Sequence, residues 1–247
     1  MEILGIDVGG TGIKGALVNT KTGKLTTERH RIPTPQPATP QAVANTIQEL
    51  VNHFNWKGIV GCGFPTPLQH GKCLTGGNLH KDWKGTQVDQ LFEEKTGNGY
   101  SIVNDADAAG LAEISFGAGK NKPGVVVMIT LGTGIGSGVF LDGKLLPNTE
   151  LGHVLYKDGK SFEKYASDSA RKRDGLSRKE WGKRLHKYFS HLQLILSPDL
   201  IIIGGGASKK LDKYSSYIKI NTPIAPAEAE NEAGIIGAAM AANFHIK

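Results

Sequence analysis

The chain has 247 residues, of which 39% are hydrophobic and 21% charged, and a formal net charge of +6 at pH 7. That is enough to bury a core as one large domain or two small ones, and the 33 glycines fall in discrete clusters between apolar runs, which excludes a low-complexity chain. The two cysteines, Cys62 and Cys73, lack CxxC spacing, are too few for a structural zinc site and are expected as reduced thiols.

Strand-like residues begin at Ile3, which predicts no signal peptide. No apolar run approaches the roughly 18 residues of a membrane span, so a cytoplasmic protein without a membrane partner is expected. LGIDVGGTGIKGALV reads as strand, glycine turn and strand, and NTKTGKLTTERHRI as a turn and a third strand, a β-meander. Val43, Ile47, Leu50, Val51 and Phe54 then form a helical stripe, followed by the buried strand GIVGCGFP, the helix VDQLFEEK and the strand YSIVND. VVVMITLGTGIGSGVFLDGKLL starts a second meander, after which come a helix, the strand LIIIGGG and the closing helix AGIIGAAMAA.

The two halves look like a duplication. Gly10-Thr11-Gly12-Ile13 matches Gly132-Thr133-Gly134-Ile135, and Thr22-Gly23-Lys24-Leu25 matches Asp142-Gly143-Lys144-Leu145. Each half runs from a meander into alternating helix and strand, which predicts two α/β lobes of mixed sheet with flanking helices and a ligand cleft between them. The expected boundaries are 1–105 for the first lobe and 106–233 for the second, with a helix over 234–247 rejoining the first. Aligning the two turns sets Asp7 against Ile129 and Lys14 against Gly136, so only the first copy carries charge. Glycine turns leave backbone N–H groups open to phosphate oxygens. Gly9, Gly10, Thr11 and Gly12 in one turn and Gly132, Thr133 and Gly134 in the other are therefore candidate phosphate ligands, joined by Gly204, Gly205 and Gly206 after the strand LIIIG. The plain alternative is two tight hairpins. Asp7 at a strand end suits Mg²⁺ held through water, since Mg²⁺ gives up its hydration shell reluctantly, and Lys14 would neutralise a transferring phosphoryl group.

VNDADAAGLAE ends a strand and starts a helix. A helix cap accounts for one of Asp105 and Asp107 better than for both, and phosphoryl transfer to an alcohol needs a base on the attacking hydroxyl; Asp105 suits that task. Glu150 and His153 in NTELGHV, Glu163 in SFEKYAS and Asn104 supply the mixed donors and acceptors that a polyhydroxy ligand requires.

Residues 171–187, RKRDGLSRKEWGKRLHK, contain eight Lys or Arg against Asp174 and Glu180, a net +6 equal to that of the whole chain. Arg171, Lys172 and Arg173 open the segment; Arg178, Lys179, Lys183, Arg184 and Lys187 continue it. Clustered charge of this kind attracts polyanions. The bland alternative is one amphipathic helix with a basic outer face, because Trp181, Leu185, Tyr188, Leu192 and Leu196 recur at helical spacing. Only Trp181 and Tyr188 are aromatic here, and their spacing suits a core face, so no nucleic-acid partner is expected.

DVGGTGIKGALV, GFPTPL, VNDADAAG, TLGTGIGSGV, ELGH and IIIGGGAS, in this order, resemble the sugar kinases of the ROK family within the hexokinase–actin superfamily. The resemblance implies a two-lobed, actin-like or ribonuclease H-like kinase fold that phosphorylates glucose at O6. Asp105 then matches the catalytic base, and Asn78, Asn104, Glu150, His153 and Glu163 fall on sugar-contact positions. KG after GGTGI, NLHKDWKG and SPDLIIIGGGASKK resemble the branch that uses inorganic polyphosphate, with an ATP-specific or dual-donor hexose kinase as the alternative. Against a polyphosphate chain the basic segment becomes a cationic track, extended by Lys209 and Lys210. Where many members carry a zinc-binding cysteine cassette this chain has YKDGKSFEKY, so no zinc is expected and His153 is left for sugar. Family repressors have an N-terminal helix-turn-helix that is not expected here. A homodimer is implied by the resemblance alone.

Overall fold

The computed structural model describes residues 1–76 and 79–245. It contains two compact units, residues 1–116 with 231–247 and residues 117–230. In the first unit, β1 (Glu2–Val8) and β2 (Ile13–Asn19) form an antiparallel hairpin. The short strands β3 (Lys24–Leu25) and β4 (His30–Ile32) both pair with β2. The expected third strand of the meander is thus two pieces, and β4 lies beside the glycine turn. Helix α1 (Pro40–His53) starts where the Thr39 hydroxyl accepts the Ala42 N–H at 3.3 Å, with Pro40 in the first turn, where its missing N–H is harmless. Its stripe Val43, Ile47, Leu50 and Val51 is buried on the sheet.

β5 (Val60–Phe64) pairs parallel with β1; β6 (Leu68–Gln69) and β7 (Lys72–Cys73) make a separate small hairpin. α2 (Val88–Thr96) leads to β8 (Tyr100–Asn104), which pairs parallel with β5, and then to α3 (Asp105–Phe116). Strand order is β3-β2-β1-β5-β8, with β4 also on β2.

The second unit repeats the plan. β9 (Val125–Leu131), β10 (Ile135–Leu141) and β11 (Lys144–Leu146) form the meander. The helices α4 (Phe162–Ala166), α5 (Asp168–Arg173) and α6 (Arg178–Leu196) precede β12 (Leu200–Gly204), and an edge strand β13 (Ile224–Pro226) follows it. The order β11-β10-β9-β12-β13 matches the first sheet strand for strand. β13, which has no counterpart in the sequence expectation, completes that match at the edge, where proline is tolerated. Trp181, Leu185, Tyr188 and Leu192 of α6 are buried against the sheet, so the apolar stripe is a core face.

Helix α7 (Ala233–His245) returns to the first unit. A Cβ on Gly5 of β1 would collide with the Ile235 carbonyl, and one on Gly61 of β5 with that of Ala238. The helix backbone therefore lies directly on the sheet, an approach only glycine permits. α3 packs on α7 in turn, which places the boundary after Phe116 and not at 105. Cys62 and Cys73 are buried free thiols, and burial pushes the thiol pKa of both above its ordinary value.

Candidate active site

The two glycine hairpins differ in register. β1 and β2 pair through Val8↔Ile13, leaving a loop over 9–12 closed by the Gly9 N–H donating to the Gly12 carbonyl at 3.1 Å. β9 and β10 pair through Leu131↔Ile135, so the second loop is one residue shorter, 132–134, with Gly132 N–H donating to the Gly134 carbonyl at 3.1 Å. The sequence alignment that opposes Asp7 and Ile129 therefore matches positions whose cross-strand partners differ.

At the first turn Asp7 and Lys14 are cross-strand partners, and Lys14 Nζ lies 3.2 Å from Asp7 Oδ2. The start of α7 lies on the same carboxylate, since a Cβ on Gly234 would come within 2.8 Å of Asp7 Cγ; a helix N-terminus favours negative charge there. Arg31 of β4 and the Thr34 hydroxyl both bond carbonyls of this turn, at Thr11 and Gly9 respectively.

In the same unit Asn104 ends β8 and its side-chain oxygen accepts the Ala106 N–H at 2.9 Å. Asn104 thus serves as a cap of α3. Asp105 stands exposed in the first helical turn, whereas Asp107 is buried. Asn78 lies outside the described residues.

In the second unit β10 organises the candidate sugar groups around the turn. The Ile135 N–H donates to Glu163 Oε2 at 2.9 Å, and a Cβ on Gly134 would strike that same oxygen. The short turn Leu151–His153 lies on Ile135 through Gly152 and is anchored by the Leu151 N–H donating to Ser137 Oγ at 2.9 Å. This brings Glu150 to 3.7 Å from His153. Burial raises the Glu150 carboxyl above its ordinary pKa; His153 opposes the rise and the charge of Glu163 adds to it. A Cβ on Gly205, at φ +73°, would come within 2.8 Å of the Leu131 carbonyl, so the Gly204–Gly206 loop packs beside the second turn. Among the described residues no three or more His, Cys, Asp or Glu side chains form a metal-holding group, and no helix is long and apolar enough to cross a membrane.

The model of the ROK family matches residues 3–168. The chain belongs to the ROK family. Among curated members, it is 48% identical to a polyphosphate glucokinase of Mycobacterium tuberculosis over 238 residues, 96% of this chain and 89% of that protein, and 44% identical to one of Mycobacterium leprae over 98% of this chain and 75% of that protein. The crystal structure of an inorganic polyphosphate/ATP-glucomannokinase from Arthrobacter sp. strain KM superimposes with a TM-score of 0.91 at 47% identity, covering 99% of each chain. The duplicated mixed sheets described above are the actin-like fold of these ROK kinases.

In this ROK chain the basic segment is two helices. α5 ends in Arg171, Lys172 and Arg173, Gly175 turns the chain at φ +62°, and α6 begins with a capping box in which Ser177 Oγ accepts the Glu180 N–H at 3.3 Å and Glu180 Oε2 accepts the Ser177 N–H at 2.9 Å. The expectation of a single helix is corrected by that signature, Ser-x-x-Glu, which was readable in the sequence. The charges divide as well. Asp168 lies 2.7 Å from Arg171, 2.9 Å from Lys172 and 3.8 Å from Arg178. Asp174 lies 2.7 Å from Arg173 and 2.6 Å from Arg184, whose guanidinium also donates to the Tyr165 carbonyl and covers the Tyr165 ring. Hydrogen bonds from Arg173 and Arg184 hold the Asp174 carboxyl down at about 2. Lys179, Lys183 and Lys187 are exposed at four-residue spacing on α6 and make no ion pair among the described residues. Beyond the glycine loop, Lys209 pairs with Glu230 at 3.1 Å, and Lys210 is exposed.

The YKDGKSFEKY segment is held by aromatic packing. Tyr156 stacks on Phe162 with ring centroids 4.7 Å apart, Phe162 meets Tyr188 at 5.1 Å, and Lys187 lies 5.9 Å from both the Tyr156 and Tyr165 rings.

Proposed function

We propose that this ROK-family chain transfers the terminal phosphoryl group of inorganic polyphosphate to the 6-hydroxyl of glucose, giving glucose 6-phosphate and a polyphosphate one unit shorter. Near full-length similarity to curated polyphosphate glucokinases supports the donor and the acceptor. For the chemistry, the observation that carries the reading is that Asp105 stands exposed where β8 passes into α3, next to Asn104, whose side chain accepts the Ala106 N–H.

Asp105 accepts the proton of the 6-hydroxyl as its oxygen bonds to phosphorus and the bond to the remaining polyphosphate breaks. Asn104, Glu150, His153 and Glu163 hold the other sugar groups, with Asn78 added on the family resemblance. In a loose transition state the protein mainly positions the reactants and stabilises charge. The Gly9 and Gly132 N–H groups are spent on closing their own loops, so the N–H groups of Gly10, Thr11 and Gly12 and of Thr133 and Gly134, joined by Gly204–Gly206, take phosphoryl oxygens, and Lys14 neutralises the group in transit. One partly exposed carboxylate beside a glycine turn fits Mg²⁺, which takes few protein ligands and keeps waters or phosphate oxygens; Asp7 would hold it. Bound Mg²⁺ supplies charge neutralisation at the phosphoryl oxygens. Lys179, Lys183 and Lys187, with Lys210, which make no ion pair among the described residues, carry the charge of the donor track, and the arginines around Asp168 and Asp174 hold its scaffold. The reading includes a homodimer in the cytoplasm, with neither nucleic acid nor membrane as partner; two reduced, buried thiols are in keeping with a reducing compartment.

The similarity to the Arthrobacter polyphosphate/ATP-glucomannokinase favours a second reading in which ATP and mannose are also accepted. The deciding measurement is glucose 6-phosphate formation by the purified chain with Mg²⁺ and either polyphosphate or ATP as sole donor. Turnover with polyphosphate is expected. Turnover with ATP alone would replace the donor assignment, and turnover with neither would overturn the reading.

A further inference from the structure

Three charged residues stand in register across the first sheet. Asp7 of β1 is paired with Lys14 of β2, and Lys14 is paired on its other side with Arg31 of β4. Directly paired residues on adjacent strands project from the same face, so the row reads minus, plus, plus at the mouth of the first glycine turn. Lys14 is bound to Asp7. Arg31 makes no ion pair among the described residues; its Nη2 donates instead to the Thr11 carbonyl at 2.6 Å. The guanidinium also fills the space beside Gly12, where a Cβ would fall 2.6 Å from Arg31 Cζ. A side chain at position 12 would displace that guanidinium.

A brace for one carbonyl needs a single donor and no charge. A guanidinium has five N–H groups in a planar fork that matches phosphate oxygens, and here one is taken by Thr11. We propose that Arg31 is a donor-binding residue, held against the first turn by Thr11 and Gly12 so that its remaining N–H groups meet oxygens of the phosphoryl chain. This rests on the reading of the two turns as the donor site. It adds to that site a side chain from a third strand, and assigns Gly12 the role of admitting it.

The test is calorimetric binding of tripolyphosphate, and in parallel of ATP with Mg²⁺, to the full chain in the absence of glucose, at several salt concentrations. Arg31→Gln is expected to weaken tripolyphosphate binding about tenfold, as loss of a charge-assisted contact does, and to lower the slope of log Kd against log salt by roughly one. The KM for glucose should not move. Arg31→Lys should keep the salt slope and recover part of the affinity. Gly12→Ala, which displaces the guanidinium, should weaken binding in the parent but add little in the Arg31→Gln background. A loss confined to tripolyphosphate would assign Arg31 to the polymer, and an equal loss for both donors to the phosphate positions they share. An unchanged salt slope in Arg31→Gln, or equal losses in Arg31→Gln and Arg31→Lys, would reduce Arg31 to a brace and overturn the proposal, as would a parent that binds neither donor. Because binding is measured without turnover, failure here is separate from failure of the glucokinase reading, which the product assay decides.

Discussion

The first and second glycine hairpins occupy equivalent places in equivalent sheets, yet they are held differently. The first loop is one residue longer, has Asp7, Lys14 and Arg31 across its mouth, and rests against the start of α7. The second has glycine and serine on the matching stretch of β10, and Glu163 accepts the Ile135 N–H at its edge. On the proposed function, the duplicated scaffold would carry charged chemistry in one copy and holding functions in the other. Among the charged groups, Asp105 and Asp7 of the first unit should act on kcat and on the metal, and Glu150, His153 and Glu163 of the second unit on affinity for glucose.

The sharpest way to break this division is Asp105→Asn. Asn104 keeps the cap, so the fold should be undisturbed, while loss of the proton acceptor should lower kcat by roughly 10²–10⁴ with glucose binding retained. Calorimetric glucose titration beside steady-state kinetics checks both halves. Near-parental kcat would remove Asp105 as the base and leave the first unit without its acid–base group.

Asp7→Asn should act next. It removes one of the few protein oxygens available to Mg²⁺ and also frees Lys14 from its 3.2 Å pair. The Mg²⁺ concentration for half-maximal rate should rise several-fold, on the order of 1 kcal/mol, with little change in KM for glucose. A Mg²⁺ titration that overlays the parent's would place the metal elsewhere.

Much of this division is legible in the sequence, because a GTGI repeat with matching downstream turns can hardly arise twice without a shared plan. The repeated meanders and the apolar face of α6 follow from glycine placement and hydrophobic spacing, whereas the close seat of α7 on Gly5 and Gly61 is visible only in the structure. The register difference is hidden for a physical reason: both loops contain the same Gly-Thr-Gly, and only pairing shows that Gly9 belongs to the loop whereas Leu131 belongs to a strand. Arg31 is missed because HRI is an unremarkable edge strand until its pairing with Lys14 is known. β13 is three residues ending in proline, too short for any periodicity. In the basic segment, counting charges could not show which cations face Asp168 and Asp174.

That sorting sharpens the comparison, since the charge missing from the second turn is found on α6. Replacing Lys179, Lys183 and Lys187 by Gln keeps helix propensity and spares every arginine bonded to Asp168 or Asp174. The three span about 12 Å at 1.5 Å per residue, so long polyphosphate should lose affinity several-fold and show a flatter salt dependence. ATP, if used, should be nearly unaffected. Equal losses for short and long donors would return the stripe to a solvated helix face.

The smallest expected effect belongs to the cations assigned to structure. Asp174 has its pKa lowered from 3.8 to about 2 by hydrogen bonds from Arg173 and Arg184. A carboxyl whose folded pKa is depressed binds a proton more readily in the unfolded chain. Its stabilising contribution is therefore complete above pH 3.8 and is lost as pH falls from there toward 2. Solvent screens such an exposed pair, so Asp174→Asn should shift the melting temperature only slightly at neutral pH, and the difference from the parent should vanish through that acid window. Polyphosphate KM should stay near the parental value, because the lysine stripe is intact. A large rise in that KM with unchanged stability would mean that Arg173 and Arg184 face the donor and that structural and binding cations on this helix pair are not separate.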